Sequence, residues 1–184
     1  DFENALKYVM APVPRKKADV EALWEGLVDG SISTVATDHC SFSWQEKKAR
    51  AGGNVFNCPG GIPGVETRLS LLYSEGVIKR GMSLSRWVDL VSTMPSRLFG
   101  LAGKGEIKPG LDADLVIFDP YKEKKLNADN LHQAVDYTPF ENIVVRGWPR
   151  EVFLRGRKIV DGERFMGEPG QGRFIARQPF SIEK

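Results

Sequence analysis

The sequence predicts an α/β chain, and three observations carry that prediction. Residues 7–37 read as strand, helix, strand with short connections, the order expected of a parallel sheet covered by helices. The second β-branched run ends in Asp38-His39-Cys40, so a carboxylate stands at the carboxyl end of a strand. Beyond about residue 101 the apolar spacing changes from helical to short β-like runs.

Taken in order, residues 1–4 read as a lead-in and Lys7-Tyr-Val-Met10 as a short buried strand. Pro12 and Pro14 stop it, because proline cannot donate to a ladder. Asp19 can cap a helix whose residues Val20, Leu23, Trp24, Leu27 and Val28 share one face, and Gly30 ends it. The strand from Ser31 to Thr37 follows. Residues 41–63 show neither period and carry four glycines and two prolines near their middle and end, which predicts a long loop with Lys47, Lys48 and Arg50 as a solvated face.

A helix from about Gly64 places Val65, Leu69, Leu72 and Tyr73 on one side, with Glu66 suited to the positive end of its dipole. Ser83 can cap another with Leu84, Trp87, Val88 and Val91 inward, and Pro95 can begin a further turn that Gly100 ends. The turn-rich stretch 101–110 is a joint. After it, Leu115–Phe118 and Ile143–Val145 read as strands, and Val152–Leu154 and Lys158–Val160 as a hairpin around Arg155-Gly156-Arg157. Residues 164–184 read as an irregular tail that wraps a neighbour. The division expected is therefore 1–100 and 101–184.

Composition limits the function. With 184 residues, 41% hydrophobic and 27% charged, the chain is neither disordered nor fibrous. A formal charge of +2, with acids and bases intermixed, gives no basic stripe for nucleic acid. No apolar run reaches the ~20 residues of a membrane span, so the expectation is a cytoplasmic protein without membrane or nucleic-acid partners. Two cysteines, Cys40 and Cys58, predict reduced thiols rather than a disulfide framework.

Asp38 is the first candidate for metal-assisted chemistry, although on spacing alone a turn or capping acid explains it better. His39 projects to the opposite side of an extended chain, and Cys40 reads as a small packed hydrophobe. The run Cys58 to Gly64 either cradles a ligand through bare backbone amides or is a plain turn; it lacks the lysine and hydroxyl of a phosphate loop.

Tyr8-Val-Met-Ala-Pro-Val-Pro-Arg15, Thr37-Asp-His-Cys40, Pro59-Gly-Gly-Ile-Pro-Gly-Val-Glu66, Leu71-Leu-Tyr-Ser-Glu-Gly-Val77, Ser92-Thr-Met-Pro-Ser-Arg-Leu-Phe-Gly100, Lys104-Gly-Glu-Ile107, Asp112-Ala-Asp-Leu-Val116 and Asp136-Tyr-Thr-Pro-Phe140 are spread in order along the chain. Together they make it similar to the carboxyl-terminal part of a D-hydantoinase or dihydropyrimidinase, cyclic amidohydrolases of the amidohydrolase superfamily. The resemblance implies the carboxyl-terminal portion of a (β/α)8 metal-dependent hydrolase barrel in residues 1–100, followed in 101–184 by a small β-sandwich portion and tail. It implies two divalent metal ions, zinc by the family's habit, bridged by a carboxylated lysine outside this chain.

By the same resemblance Asp38 is the last metal ligand and the catalytic proton relay from the bridging hydroxide to the leaving amide nitrogen. Ala11 stands where the family usually has a serine, and Gly60 where hydantoinases often have an asparagine; both contact substrate through the main chain. Gly60-Gly61-Ile62 also resembles allantoinases. The family's His-x-His, lysine and two further histidines have no counterparts among these residues. The expected protein is thus an incomplete cyclic amidohydrolase, inactive alone, whose partners are its own missing amino-terminal part, a small cyclic amide and further copies in a homo-oligomer. The alternatives are an allantoinase, a dihydroorotase, or a non-catalytic dihydropyrimidinase-related assembly protein.

Overall fold

Helices form where local signals are strongest. In the computed structural model, which describes residues 1–179, Ser83 Oγ accepts the Arg86 N–H and caps α5 (Leu84–Val88), as its sequence predicts. α5 runs on through a π-helical stretch, Asp89–Thr93, into α6 (Met94–Leu98), which has proline in its first turn and is closed by Gly100 at φ +61°. α4 (Arg68–Leu72) likewise continues into a π-helical stretch, Tyr73–Ile78. α2 (Lys17–Asp29) ends at Gly30, φ +98°, as expected. It begins earlier than Asp19, whose carboxylate accepts the Lys16 N–H from the helix's third position.

The amino-terminal segment differs from expectation. Phe2–Ala5 is a short helix, α1, and Leu6–Tyr8 a 3-10 turn, so residues 7–10 form no strand. Residues 31–37 form no strand either: Ser31 and Ile32 lie in a bend, and 33–37 are neither helix nor ladder. Their backbone groups are satisfied instead by Leu90 O, which accepts from Val35 N, and by two arginines: Arg68 donates to Val35 O at 2.9 Å and Arg86 to Ile32 O. A strand needs a neighbour, and no parallel pair occurs among the described residues.

Residues 41–63 are not one loop either. α3 (Trp44–Ala51) is capped by Ser43, whose Oγ accepts the Glu46 N–H at 3.0 Å, and a 3-10 turn follows at Val55–Asn57.

The second half is an antiparallel meander, β1 (Leu115–Lys125), β2 (Val144–Leu154), β3 (Arg157–Asp161) and β4 (Arg164–Phe165), in the order β1-β2-β3-β4. The predicted hairpin is present, with Arg155 at φ +48° and Gly156 at φ +79° making its two-residue turn. The predicted runs 143–145 and 152–154 fall on one strand, β2, which begins at Val144 and leaves Ile143 just ahead of it. Gly147, φ +93°, lies on that strand where a Cβ would come within 2.4 Å of the Tyr73 ring. The described tail returns to its own chain, Gln178 N donating to Gly100 O at 2.8 Å; residues 180–184 of the predicted tail lie outside the described residues.

The main core joins both halves. Leu27, Leu72, Tyr73, Met82, Trp87 and Leu90 are buried together, and Phe118 of β1 packs on them. The rings of Tyr73, Trp87 and Phe118 lie 4.9–5.2 Å apart, centre to centre, at steep angles to one another. A second cluster, Leu126, Leu131, Val145 and Trp148, takes in Leu71 and Phe140. Other residues predicted to point inward do not: Val20, Leu23, Val28, Val65, Leu84 and Val88 are exposed, because no described element covers those faces. No described helix is long and apolar enough to cross a membrane.

Candidate active site

Three backbone segments meet at the residues singled out above. Asp38 sits on a turn with φ +42°, a conformation that aspartate tolerates better than most side chains. Two residues on, Cys40 N donates to Ile62 O at 3.1 Å, which ties this turn to the glycine-rich run. Gly61 N in turn donates to Val9 O at 3.0 Å, which ties that run to the segment ahead of Ala11. Asp38, Ala11 and Gly60 therefore lie on adjoining segments, and all three residues are exposed.

The contacts explain why the intervening residues are what they are. Gly61 has φ +136°, and a Cβ there would lie 2.4 Å from Cys40 Sγ and 2.6 Å from its Cβ. Only a glycine allows the 38–40 turn and the 59–63 run to approach so closely. His39 Nδ1 accepts the N–H groups of Gly64 (3.0 Å) and Val65 (3.3 Å), so that nitrogen carries its lone pair and a neutral ring holds its proton on Nε2. His39 thus anchors the start of the turn leading to α4.

Lys47 corrects the sequence reading most sharply. Expected on a solvated face, it is 0% exposed, with Nζ donating to Leu6 O (3.1 Å) and Val9 O (3.0 Å). Burial holds its ammonium below the usual lysine range. The signal was present in Ser43-Trp44-Gln45-Glu46, a capping-box pattern that starts a helix and places Trp44, Lys47 and Ala51 on one side. Glu66 does more than occupy a helix end. Its carboxylate accepts the N–H of His132 (2.6 Å) and of Gln133 (3.2 Å) and meets His132 Nδ1 at 2.8 Å. That partner is 66 residues away, and no local pattern announces it.

An apolar cavity of about 270 Å³ lies beside the candidates, lined by Met10, Thr37, Ile62, Pro63, Leu71 and Phe140 among others. Ala11 and Asp38 each follow one of its lining residues in sequence. A larger cleft, about 790 Å³, runs between Met94 and Leu111 and involves none of the three candidates. As a metal donor set the site is partial. The Asp38 carboxylate, exposed and without a hydrogen-bonding side-chain partner among the described residues, suits a single hard ligand, but no group of three or more His, Cys, Asp or Glu converges there among those residues.

Comparison with known proteins agrees with this architecture. The model of the amidohydrolase family matches residues 7–159, and the chain belongs to that family. It is 41% identical over 181 residues to a D-phenylhydantoinase of Escherichia coli O1:K1 / APEC, covering 98% of this chain and 39% of that protein. Its structure matches a D-hydantoinase from Bacillus sp. AR9 with a TM-score of 0.94 and 42% identity, over 98% of this chain and 39% of the other. A dihydropyrimidinase from Brevibacillus agri NCHU1002 matches with a TM-score of 0.93 and 38% identity, over 96% and 39%. The chain thus spans about two fifths of the length of these relatives.

Proposed function

We propose that this chain is the carboxyl-terminal portion of a cyclic amidohydrolase that opens a hydantoin or dihydropyrimidine ring, with residues 1–100 completing a (β/α)8 barrel and 101–184 contributing to a β-sandwich. The single observation that carries the reading is the tie between three segments, Gly61 N to Val9 O and Cys40 N to Ile62 O, which gathers Asp38 with Ala11 and Gly60. The names of the relatives supply the substrate class.

In this reading Asp38 is one ligand of a two-metal centre whose other ligands, including a carboxylated lysine, lie outside these residues. When bound, such metals, zinc by family habit, supply a water-derived nucleophile at neutral pH. The Asp38 carboxylate would take up at Oδ the proton released as the water-derived oxygen bonds the ring carbonyl carbon, and would give it to the ring nitrogen as the C–N bond breaks. Ala11 and Gly60 orient the ring through main-chain groups, so the side chains at those positions are free to differ from the family's usual serine and asparagine. The whole enzyme assembles as a homo-oligomer.

The test is Asp38→Asn in the full-length protein. Hydrolysis of dihydrouracil, hydantoin and allantoin is measured beside wild type, with metal content and folding checked. Activity is expected to be lost while the fold is kept. Turnover near the wild-type rate with metal bound would remove Asp38 from the mechanism, and the preferred compound separates the hydantoinase reading from the allantoinase one.

A further inference from the structure

We infer that Lys47 is a positioning residue that holds the two main-chain segments carrying Ala11 and Gly60 in register. The inference rests on the substrate role proposed for that pair.

Lys47 is fully buried, and its Nζ reaches two backbone carbonyls, Leu6 O at 3.1 Å and Val9 O at 3.0 Å. Val9 O is also the acceptor for Gly61 N at 3.0 Å. One carbonyl thus receives both the ammonium of α3 and the amide of the glycine run, and that carbonyl lies two residues before Ala11 and is bound by the residue after Gly60. Among the described residues no carboxylate pairs with Lys47; the Tyr137 ring lies 5.8 Å from Nζ to its centre, and the Cys58 and Cys40 thiols are close enough to act on its charge.

Packing alone does not explain a lysine here. A methionine would fill nearly the same volume without bringing an ammonium out of water, a step that is costly unless the charge is well hydrogen-bonded. What lysine adds is donors in a fan, able to bridge the Leu6 and Val9 carbonyls at once. Its base is firm: α3 is capped by Ser43 Oγ, and the Asp136 carboxylate accepts the N–H groups of Trp44 (2.6 Å) and Gln45 (3.3 Å) at the same helix end. The chain of contacts runs from Asp136 through α3 and Lys47 to Val9 and on to Gly61. It ends on backbone rather than on a reacting atom, so the effect of Lys47 on the reaction is exerted through placement of substrate.

The experiment compares full-length wild type with Lys47→Met and Lys47→Gln by amide hydrogen exchange and by steady-state kinetics on whichever of dihydrouracil, hydantoin or allantoin the wild type opens. The methionine variant is expected to exchange faster in peptides 5–12 and 58–63, while peptides covering 84–98 keep their protection. KM should rise about tenfold with kcat within about threefold of wild type, as loss of hydrogen bonds from a charged group to a binding segment predicts. Glutamine, which keeps a donor, should fall between the two. If the methionine variant does not fold, the glutamine variant is read by the same criteria. Unchanged exchange in both peptides, or a fall in kcat at unchanged KM, would overturn the inference. A wild type that opens none of the three rings counts against the proposed activity alone, and the exchange measurement then decides the positioning role.

Discussion

Nδ1 of His132 lies 2.8 Å from Oε1 of Glu66, and the other oxygen of that carboxylate accepts the His132 backbone N–H at 2.6 Å. The pair joins the turn before α4 to the segment between β1 and β2. On the far side of the ring, Nε2 meets Glu163 O at 3.0 Å, so the protonated imidazole has an acceptor for each N–H.

This arrangement sets a pH dependence. The Glu66 hydrogen bond, followed by the Glu163 carbonyl, raises the His132 pKa above its ordinary 6.5. The contribution of the charged ring to stability is fully present below about 6.5 and is lost as pH rises through the higher folded-state value. In Glu66→Gln the His132 titration, followed by NMR, should move back down, and the melting temperature should lose part of its fall as pH rises above about 6.5. An unchanged titration would separate His132 from Glu66.

Gly61 should not tolerate a side chain, because a Cβ would sit 2.4 Å from Cys40 Sγ and 2.6 Å from Cys40 Cβ. Gly61→Ala is expected to destabilise by about 2 kcal/mol or more, the combined effect of overpacking and strained φ. Because the Cβ itself collides, Cys40→Ala should fail to restore stability, whereas Cys40→Gly should recover the steric part. Equal rescue by both would show that the sulfur alone makes the clash.

Phe118 is the residue of β1 that enters the helical core against Tyr73 and Trp87. Phe118→Ala should lower unfolding stability by about 3 kcal/mol in denaturant titration. The loss should appear in probes of both α5 and the sheet, since the two share that cluster. A change confined to the sheet would mean that it is stable by itself.

The cap of α3 carries a smaller share. Ser43→Ala removes the acceptor for the Glu46 N–H and should cost about 1 kcal/mol. Exchange should rise first in the opening turn of α3, around Gln45 and Glu46, ahead of any change at Leu90. No change in melting or exchange would show that Asp136 suffices as the cap.

Local chemistry was legible in the chain itself. The amino end of α5, the stop of α2 at Gly30, the break at Gly100 and the turn at Arg155-Gly156 each depend on a hydroxyl or a positive φ within a few residues, and each stands where its residues indicate. The β-branched run ending at Asp38 was also readable as non-helical backbone, and the ordered motifs pointed to the amidohydrolase family. Whether that run becomes a strand was not readable, because a ladder requires a partner and the carbonyls of Ile32 and Val35 are met here by Arg86 and Arg68. The capping pattern at Ser43 marked the helix that carries Lys47, but it took the tertiary structure to decide that Lys47 is buried rather than solvated and that Glu66 serves His132 rather than only a helix end. The tertiary structure also decided that Cys40 and Gly61 bring Asp38 beside the segment of Ala11. The physical reason is the same in each case: a charge or a backbone group is satisfied by whatever donor or acceptor the folded chain carries to it, and those partners lie tens of residues away.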